Sequence, residues 1–156
     1  MVYYTRTGNA RFVAETIAAE IGADIEEVID LKKRSGLIGW LNGGRDARQG
    51  KETEIAPTKK DPADYDLIVV GTPIWAGKPT PAINTYLKKN PLSGKKLAVF
   101  FSQGGRKPQG MEAVKALASD SRWAGEISIL NPLKNKEDCE KQISEWCKKL
   151  GTTSPA

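Results

Sequence analysis

Two apolar runs in the middle of the chain constrain its fold most. The runs "DLIVVG" at residues 66–71 and "KLAVFFS" at residues 96–102 are apolar at consecutive positions, not at alternate ones. Such runs are typical of parallel strands that helices cover on both faces. The segments around them carry apolar residues at helical spacing, so strands and helices alternate along the chain. This order predicts an α/β fold with a parallel sheet between two layers of helices.

The remaining elements complete this pattern. Helical spacing predicts helices at residues 10–21, 81–89, 108–118 and 137–150, and strands are expected at residues 1–4, 25–30, 66–71, 96–102 and 127–130. Five strands in this alternation fit a three-layer, doubly wound parallel sheet of strand order 2-1-3-4-5. The first strand is short for a buried strand, which favours a start further upstream. We expect residues 1–150 to form one domain and residues 151–156 a frayed polar tail.

Residues 35–55 give the least regular pattern. Leu37, Ile38, Trp40 and Leu41 predict a short helix, which the pair Gly43 and Gly44 should break. The charged stretch after the two glycines is expected to be exposed.

Composition excludes several kinds of function. The 156 residues include 24 Lys and Arg against 19 Asp and Glu, a formal charge of +5, but the lysines are scattered and do not form a nucleic-acid patch. No apolar run approaches the roughly 18–20 residues of a membrane span, and no signal peptide is visible, so we expect a cytoplasmic protein without membrane contact.

Histidine is absent, which removes histidine-activated nucleophiles and nearly every zinc site. The only cysteines, Cys139 and Cys147, share a helical stripe with Ile143 and Trp146, and we interpret them as core residues. No catalytic side chain and no metal ligand is therefore predicted. Any redox or transfer reaction would need a cofactor.

Three loops rich in Gly, Ser and Thr follow the first, third and fourth predicted strands: "TRTGN", "TPIWAG" and "SQGG". Ligands of doubly wound sheets bind at the carboxyl ends of the strands where the strand order reverses, so these loops should meet. The first loop opens a helix and lacks the lysine of a triphosphate loop, which favours a terminal monophosphate. Trp75 offers a face for ring stacking, Gly77 lets a peptide turn over, and the third loop offers backbone groups to a heterocycle. FMN fits this description.

The same three segments resemble a known family. "YYTRTGNARFVAETIA" is similar to the flavodoxin phosphate-loop signature [ST]-x-T-G-x-[ST], and "VVGTPIWAGKPTPAINTYL" and "FFSQGG" resemble the second and third flavin loops. The resemblance implies a flavodoxin-like fold and an FMN site. The residues that it assigns to this site are Thr5, Arg6, Thr7, Gly8, Asn9 and Ala10 at the phosphate, Thr72, Pro73, Ile74, Trp75, Ala76 and Gly77 around the isoalloxazine, and Ser102, Gln103, Gly104 and Gly105 at its pyrimidine edge.

The chain departs from the family pattern in three respects. Ala10 stands where the signature has Ser or Thr, which removes one hydroxyl donor to phosphate at a cost of about 1–3 kcal/mol. The chain is basic, whereas well-known flavodoxins are acidic. The third loop has no aromatic residue of its own. Trp40 could supply the missing ring face, but a core role for Trp40 is the favoured interpretation.

The resemblance implies an electron-transfer flavoprotein that shuttles electrons between redox proteins, from a reductase or ferredoxin-type donor to an oxidoreductase acceptor, as a monomer or weak dimer. The alternative is an enzyme, an FMN-dependent NAD(P)H:quinone or acceptor reductase. Such an enzyme needs a pocket over the flavin, for which residues 35–51 offer Arg45 and Arg48, although a solvated connector is the favoured interpretation of this segment. A remote alternative is a flavin-free interaction module such as a receiver domain, but no carboxylate cluster follows Tyr4.

Overall fold

The two apolar runs form the centre of a parallel sheet. The computed structural model describes residues 1–105 and 110–152. Its strands are β1 (Val2–Tyr3), β2 (Glu26–Glu27), β3 (Leu67–Trp75), β4 (Lys78–Pro79), β5 (Lys96–Gln103) and β6 (Arg122–Leu130). The order across the sheet is β2-β1-β3-β5-β6, all parallel, and the short β4 pairs antiparallel with β3. The predicted doubly wound order of the five parallel strands is therefore confirmed, with one short hairpin strand added.

Helices connect the strands as the alternation predicts. They are α1 (Asn9–Ile21), α2 (Gly36–Arg48), α3 (Pro81–Lys89), α4 (Gly110–Leu117) and α5 (Lys136–Thr152). Helix α1 ends at Gly22, whose φ of 63° is left-handed and whose N–H donates to the carbonyl of Ala18. Helix α3 begins at Pro81 and ends at Lys89, as predicted, with Thr80 before it and the proline in its first turn.

The sheet separates two apolar clusters. Val69, Ala98 and Phe100 face the cluster that α1 and α5 cover, while Ile68, Val70 and Leu97 face the cluster beneath α3 and α4. Strand residues point alternately to the two faces, so an uninterrupted apolar run fills both clusters. Cys139 and Cys147 are buried in the α1–α5 cluster, which confirms their interpretation as core residues. Burial raises the pKa of the Cys147 thiol to about 11, and the nearby Glu20 charge acts in the same direction.

Gly71 adapts the central strand to its neighbour. A Cβ atom at Gly71 would lie 1.9 Å from Cζ of Phe100, so only glycine leaves room for this ring between β3 and β5. The glycine is thus a packing requirement of the sheet, immediately before the second loop.

Several sequence expectations about element boundaries differ from the structure. Helix α2 is not broken by Gly43 and Gly44 but continues to Arg48, and Gly43 lets it approach Trp75 closely. The last strand begins at Arg122, five residues before its predicted start at Ile127. Its pairing with β5 shifts register between Leu97 and Ala98, within this added segment. Helix α5 includes the first two residues of the predicted tail, and the rest of that tail lies outside the described residues. The predicted start of α4 at residue 108 also lies outside them.

The described part of the chain holds no helix with both the length and the hydropathy that a membrane crossing requires.

Candidate functional site

The register of the sheet brings the three loops to one edge. The N–H of Tyr4 donates to the carbonyl of Gly71 (3.1 Å), and Pro73 pairs with Ser102. The carboxyl ends of β1, β3 and β5 therefore lie side by side, as the predicted convergence requires. Between the loops is a cavity of about 190 Å³, which we call the loop cavity. Its lining comprises Arg6, Thr7, Asn9, Trp40, Pro73, Ile74, Trp75, Ser102, Gln103, Gly104 and Asn131.

The first loop turns sharply into α1. Gly8 has a left-handed φ of 88°, and its N–H donates to Oγ1 of Thr5 (3.0 Å). No described side chain caps α1, and its first turn contains no acidic residue. The N–H groups and the positive dipole end of α1 are therefore directed at the loop without a protein anion to neutralise them, which suits a phosphate.

The polar side chains of the first loop are held in place by the protein. Asn9 donates from Nδ2 to Oγ1 of Thr7 (3.0 Å), and its Oδ1 accepts from the N–H of Leu133 (3.3 Å). Arg6 is exposed, and its Nε donates to the carbonyl of Arg34 (3.1 Å). Arg6 and Thr7 also line a second, larger cavity of about 510 Å³ between the first loop and residues 27–36.

The second loop is a tight hairpin turn between β3 and β4. Trp75 pairs with Lys78, and the two residues between them, Ala76 and Gly77, have φ values of 49° and 80°. Two consecutive positive φ values are the hallmark of a type I′ turn. The left-handed conformation is easy for Gly77 but costs Ala76 free energy, and such strain is commonly found at functional sites.

Trp75 lies between the core and the cavity. Its half-buried ring meets the ring of Tyr4 edge-on (centroids 5.6 Å apart) and lies under the guanidinium carbon of Arg34 (5.8 Å to the centroid). Gly43 of α2 approaches it so closely that an added Cβ would lie 2.9 Å from Cζ3. Trp75 thus anchors α2 to the sheet and also presents part of its ring to the loop cavity. Burial, with the charge of Asp30, raises the pKa of the neighbouring Tyr4 to about 12, so this phenol is neutral.

The third loop contributes an unsatisfied polar atom. Oε1 of Gln103 is buried and has no hydrogen-bond partner among the described residues. Buried acceptors of this kind are rare because they lose hydration without compensation. The side chain lines the loop cavity, so a ligand with an N–H at its polar edge would satisfy it. The unsatisfied acceptor of Gln103 therefore fits an N–H group of a flavin at this edge.

Seven of the predicted site residues do not line the loop cavity. Thr5 lines the larger cavity next to it, and Ala76 lines a further cavity described below. Ala10 is fully buried in the core, where its methyl group packs. Thr72 is fully buried as well, and its hydroxyl accepts from the N–H of Thr80 (3.1 Å). Gly8, Gly77 and Gly105 have no side chain and serve as turn residues, with positive φ at all three.

Two lining residues were missed or misjudged from the sequence. Asn131, which follows β6, has a φ of 44° and donates its N–H to the carbonyl of Gln103 (2.8 Å). An Asn-Pro pair after the last strand was the signal that could have identified this turn. Trp40 is 56% exposed, so the expected core role is wrong. It borders the loop cavity from α2.

The expectation that residues 35–51 form a solvated connector is also wrong, because α2 docks onto the sheet next to the loop cavity. Its exposed face and the β3–β4 turn enclose a cavity of about 410 Å³, which we call the helix cavity. It is lined by Trp40, Leu41, Gly44, Arg45, Arg48, Ile74, Trp75 and Ala76, and it shares Trp40, Ile74 and Trp75 with the loop cavity.

A buried ion-pair network fixes α2 in this position. Arg34 donates from Nε to Asp30 (2.6 Å) and from Nη1 to Asp46 (3.1 Å), and Lys32 donates to the same Asp46 oxygen (2.9 Å). Burial opposes the charge of Asp46, but the hydrogen bonds from Lys32 and Arg34 outweigh it and lower the pKa of Asp46. Burial likewise opposes the charge of Arg34, and its bonds to Asp30 and Asp46 outweigh it and raise its pKa.

The comparison with known families agrees with this geometry. The family model described as Flavodoxin matches residues 1–150 of the chain. The chain belongs to the flavodoxin family. No match was found among curated protein sequences. The loop cavity of this flavodoxin-family chain therefore lies at the sheet edge where the doubly wound fold forms its ligand site.

Solved structures share the fold at low sequence identity. A protein from Bacteroides eggerthii superposes with a TM-score of 0.76 and 20% identity, covering 97% of this chain and 96% of the other. A flavoprotein in complex with FMN from Lactobacillus acidophilus has a TM-score of 0.70 and 24% identity, over 87% of this chain and 94% of the other. Oxidised Flavodoxin 1 from Bacillus cereus has a TM-score of 0.62 and 16% identity, over 99% and 97%. These likenesses show the flavodoxin-like fold.

Proposed function

We propose that this protein binds FMN and carries electrons between redox proteins. The observation that supports this function best is the loop cavity itself. Three loops that are far apart in sequence line it together, with an uncapped helix N-terminus on one side and an unsatisfied acceptor on the other. Family membership and the FMN complex of the Lactobacillus acidophilus flavoprotein support the choice of cofactor.

The residues present would divide the ligand among the three loops. Thr5, Thr7 and the start of α1 would hold the phosphate, with Arg6 as a cation at its edge. The turn at Trp75, Ala76 and Gly77 would lie along the ring, and Gln103 would accept a hydrogen bond from its pyrimidine edge. The buried Ala10 has no hydroxyl for the phosphate, so backbone N–H groups would carry more of its binding.

Bound FMN would supply the transfer of one or two electrons. The protein would exclude water with Trp40 and Trp75 and set the local charge. Among the residues that the structure describes, no carboxylate lines the loop cavity, whereas Arg6 does. A cation favours the reduced, anionic ring, so we expect a less negative potential for full reduction than in acidic flavodoxins. Redox titration of the FMN-loaded protein tests this, and a potential as low as theirs would refute it.

Cofactor binding itself is tested by titrating the FMN-free protein with FMN and with riboflavin, which lacks the phosphate. We expect FMN to bind at least about tenfold more tightly, because each charge-assisted bond to the phosphate contributes about 1.5–3 kcal/mol. Trp75→Phe, which keeps an aromatic ring against α2, should weaken both ligands equally. A protein that takes up neither ligand would contradict the proposal and favour the flavin-free module.

A second candidate function, an FMN-dependent NAD(P)H:acceptor reductase, is favoured by the helix cavity. A reductase needs space for a substrate next to the ring, and the helix cavity shares Trp40, Ile74 and Trp75 with the loop cavity. Rapid oxidation of NADH or NADPH by the isolated FMN-loaded protein would support this function. A protein that is reduced only by a partner reductase would support the carrier.

A further inference from the structure

Helix α2 turns its large apolar residues toward solvent and buries two small residues and an aspartate. The residues that it buries are Gly43, Asp46 and Ala47, whereas Leu37, Ile38, Trp40 and Leu41 are 73%, 75%, 56% and 56% exposed. Single exposed apolar residues are common on protein surfaces, but a cluster of large ones on one helix face is typical of a binding surface. Packing within the described chain leaves most of the surface of these four side chains exposed to water. A bound ligand would remove part of this apolar surface from water.

We propose that the helix cavity binds an aromatic anion, meaning a flat ring system that carries a phosphate, sulfonate or carboxylate group. The cavity measures about 410 Å³, which is within the range of small-molecule sites. Its use as a substrate site rests on the proposed FMN function, but the binding itself does not.

The ring part of the ligand is assigned from the apolar lining. Trp40 and Leu41 of α2 face Ile74, Trp75 and Ala76 of the β3–β4 turn across the cavity. An exposed tryptophan beside a cavity offers a stacking face of the kind that aromatic ligands use. Gly44, which has no atom within 4 Å of an added Cβ, keeps the entrance between the two walls wide.

The anionic part is assigned from two arginines on the same helix face. Arg45 and Arg48 are three residues apart and therefore neighbours on α2, in its last turn. Neither forms an ion pair with any residue that the structure describes, although seven other cationic side chains in the described part of the chain do. None of the described residues that line the helix cavity is acidic. Two unpaired guanidinium groups at the end of an apolar cleft are complementary to an anion attached to a ring.

Two kinds of natural ligand carry an aromatic ring with an attached anion: a free aromatic acid and the adenosine phosphate part of a nucleotide. Naphthalene-2-sulfonate probes the first and adenosine 2′,5′-bisphosphate probes the second. Neutral 2-naphthalenemethanol and adenosine serve as their uncharged matches. Isothermal titration calorimetry of the FMN-loaded protein compares the four, and a separate FMN titration reports the proposed function independently.

We expect at least one anion to bind about tenfold or more tightly than its neutral match. Arg45→Gln and Arg48→Gln should each weaken the anion about threefold or more and leave the neutral match unchanged. Arg122→Gln makes the same change in net charge at the opposite, amino-terminal edge of the sheet and should have no effect. Trp40→Ala should weaken the anion and its neutral match equally.

Several results would overturn the proposal. Equal binding of anions and neutral matches would remove the arginines from the site. Anion binding to the FMN-free protein that FMN abolishes would assign the helix cavity to the flavin itself. A third outcome is that no anion binds, that sedimentation shows a dimer, and that Trp40→Ala dissociates this dimer. It would assign the exposed face to a second copy of the chain.

Discussion

Helices α1 and α2 have the same length of 13 residues but are attached to the sheet by different forces. Helix α1 buries a stripe of Ala10, Val13, Ala14 and Ile17, so the hydrophobic effect holds it. Helix α2 buries Gly43, Asp46 and Ala47, and the Arg34 network together with close approach to Trp75 holds it. A helix docked by charge leaves its apolar residues free for a ligand, whereas a helix docked by apolar packing does not.

The strongest test of this difference removes the cation from the network. Arg34→Met leaves Asp30 and Asp46 buried without the guanidinium that joins them, and we expect the unfolding free energy to fall by about 3–5 kcal/mol. Urea unfolding measures the change. The neighbouring Lys33→Met alters an exposed side chain and should change stability by less than about 0.5 kcal/mol. A loss below about 1 kcal/mol for Arg34→Met would mean that the network does not fix α2.

The matching test in α1 removes apolar packing. Ile17 is fully buried, and Ile17→Ala should lower the unfolding free energy by about 2–5 kcal/mol through lost burial and the cavity left behind. The exposed Glu15→Ala on the same helix serves as the control and should be nearly neutral. The two measurements come from the same urea titrations. If Ile17→Ala were harmless, α1 would not owe its position to apolar packing.

These two helices also show what sequence reasoning can reach. The apolar period of α1 lies in its own residues, so its bounds and its buried face follow from spacing alone. The face that α2 buries depends on Arg34, which precedes the helix, and on Trp75 at the end of β3. The spacing of apolar residues within α2 therefore does not reveal this face. The same reason explains Trp40 and Asn131, because their contacts with the cavity exist only after β3, β5 and α2 have come together.

Acid should weaken the attachment of α2 and leave that of α1 unchanged. The hydrogen bonds from Lys32 and Arg34 outweigh burial and lower the pKa of Asp46. This carboxylate therefore contributes stability that is complete above the ordinary aspartate pKa of about 3.9 and is lost as pH falls through its lower folded value. Urea unfolding from pH 6 to pH 3 should show a steeper acid loss for the wild type than for Asp46→Asn. Ile17→Ala should keep the wild-type slope, and equal slopes for wild type and Asp46→Asn would contradict the assignment.

Adjacent glycines of α2 distinguish its two faces at smaller cost. A Cβ at Gly43 would lie 2.9 Å from Cζ3 of Trp75, whereas a Cβ at Gly44 meets no atom within 4 Å. Gly43→Ala should cost about 1–2 kcal/mol, since overpacking exceeds the gain in helix propensity. Gly44→Ala should stabilise the protein by about 0.5–1 kcal/mol. Thermal unfolding ranks the two variants, and the opposite ranking would mean that α2 does not press against Trp75.

The smallest effect is expected on the exposed apolar face of α2. Leu37 is 73% exposed, and Leu37→Gln keeps a residue of similar helix propensity, so the unfolding free energy should change by less than about 0.5 kcal/mol. The change should also be independent of protein concentration, because a monomer gains nothing from covering this residue. A loss above about 1.5 kcal/mol that grows with concentration would show that a second copy covers the face. The apolar side of α2 would then serve assembly. Both helices would bury their apolar residues, but α1 would pack against the sheet and α2 against another chain.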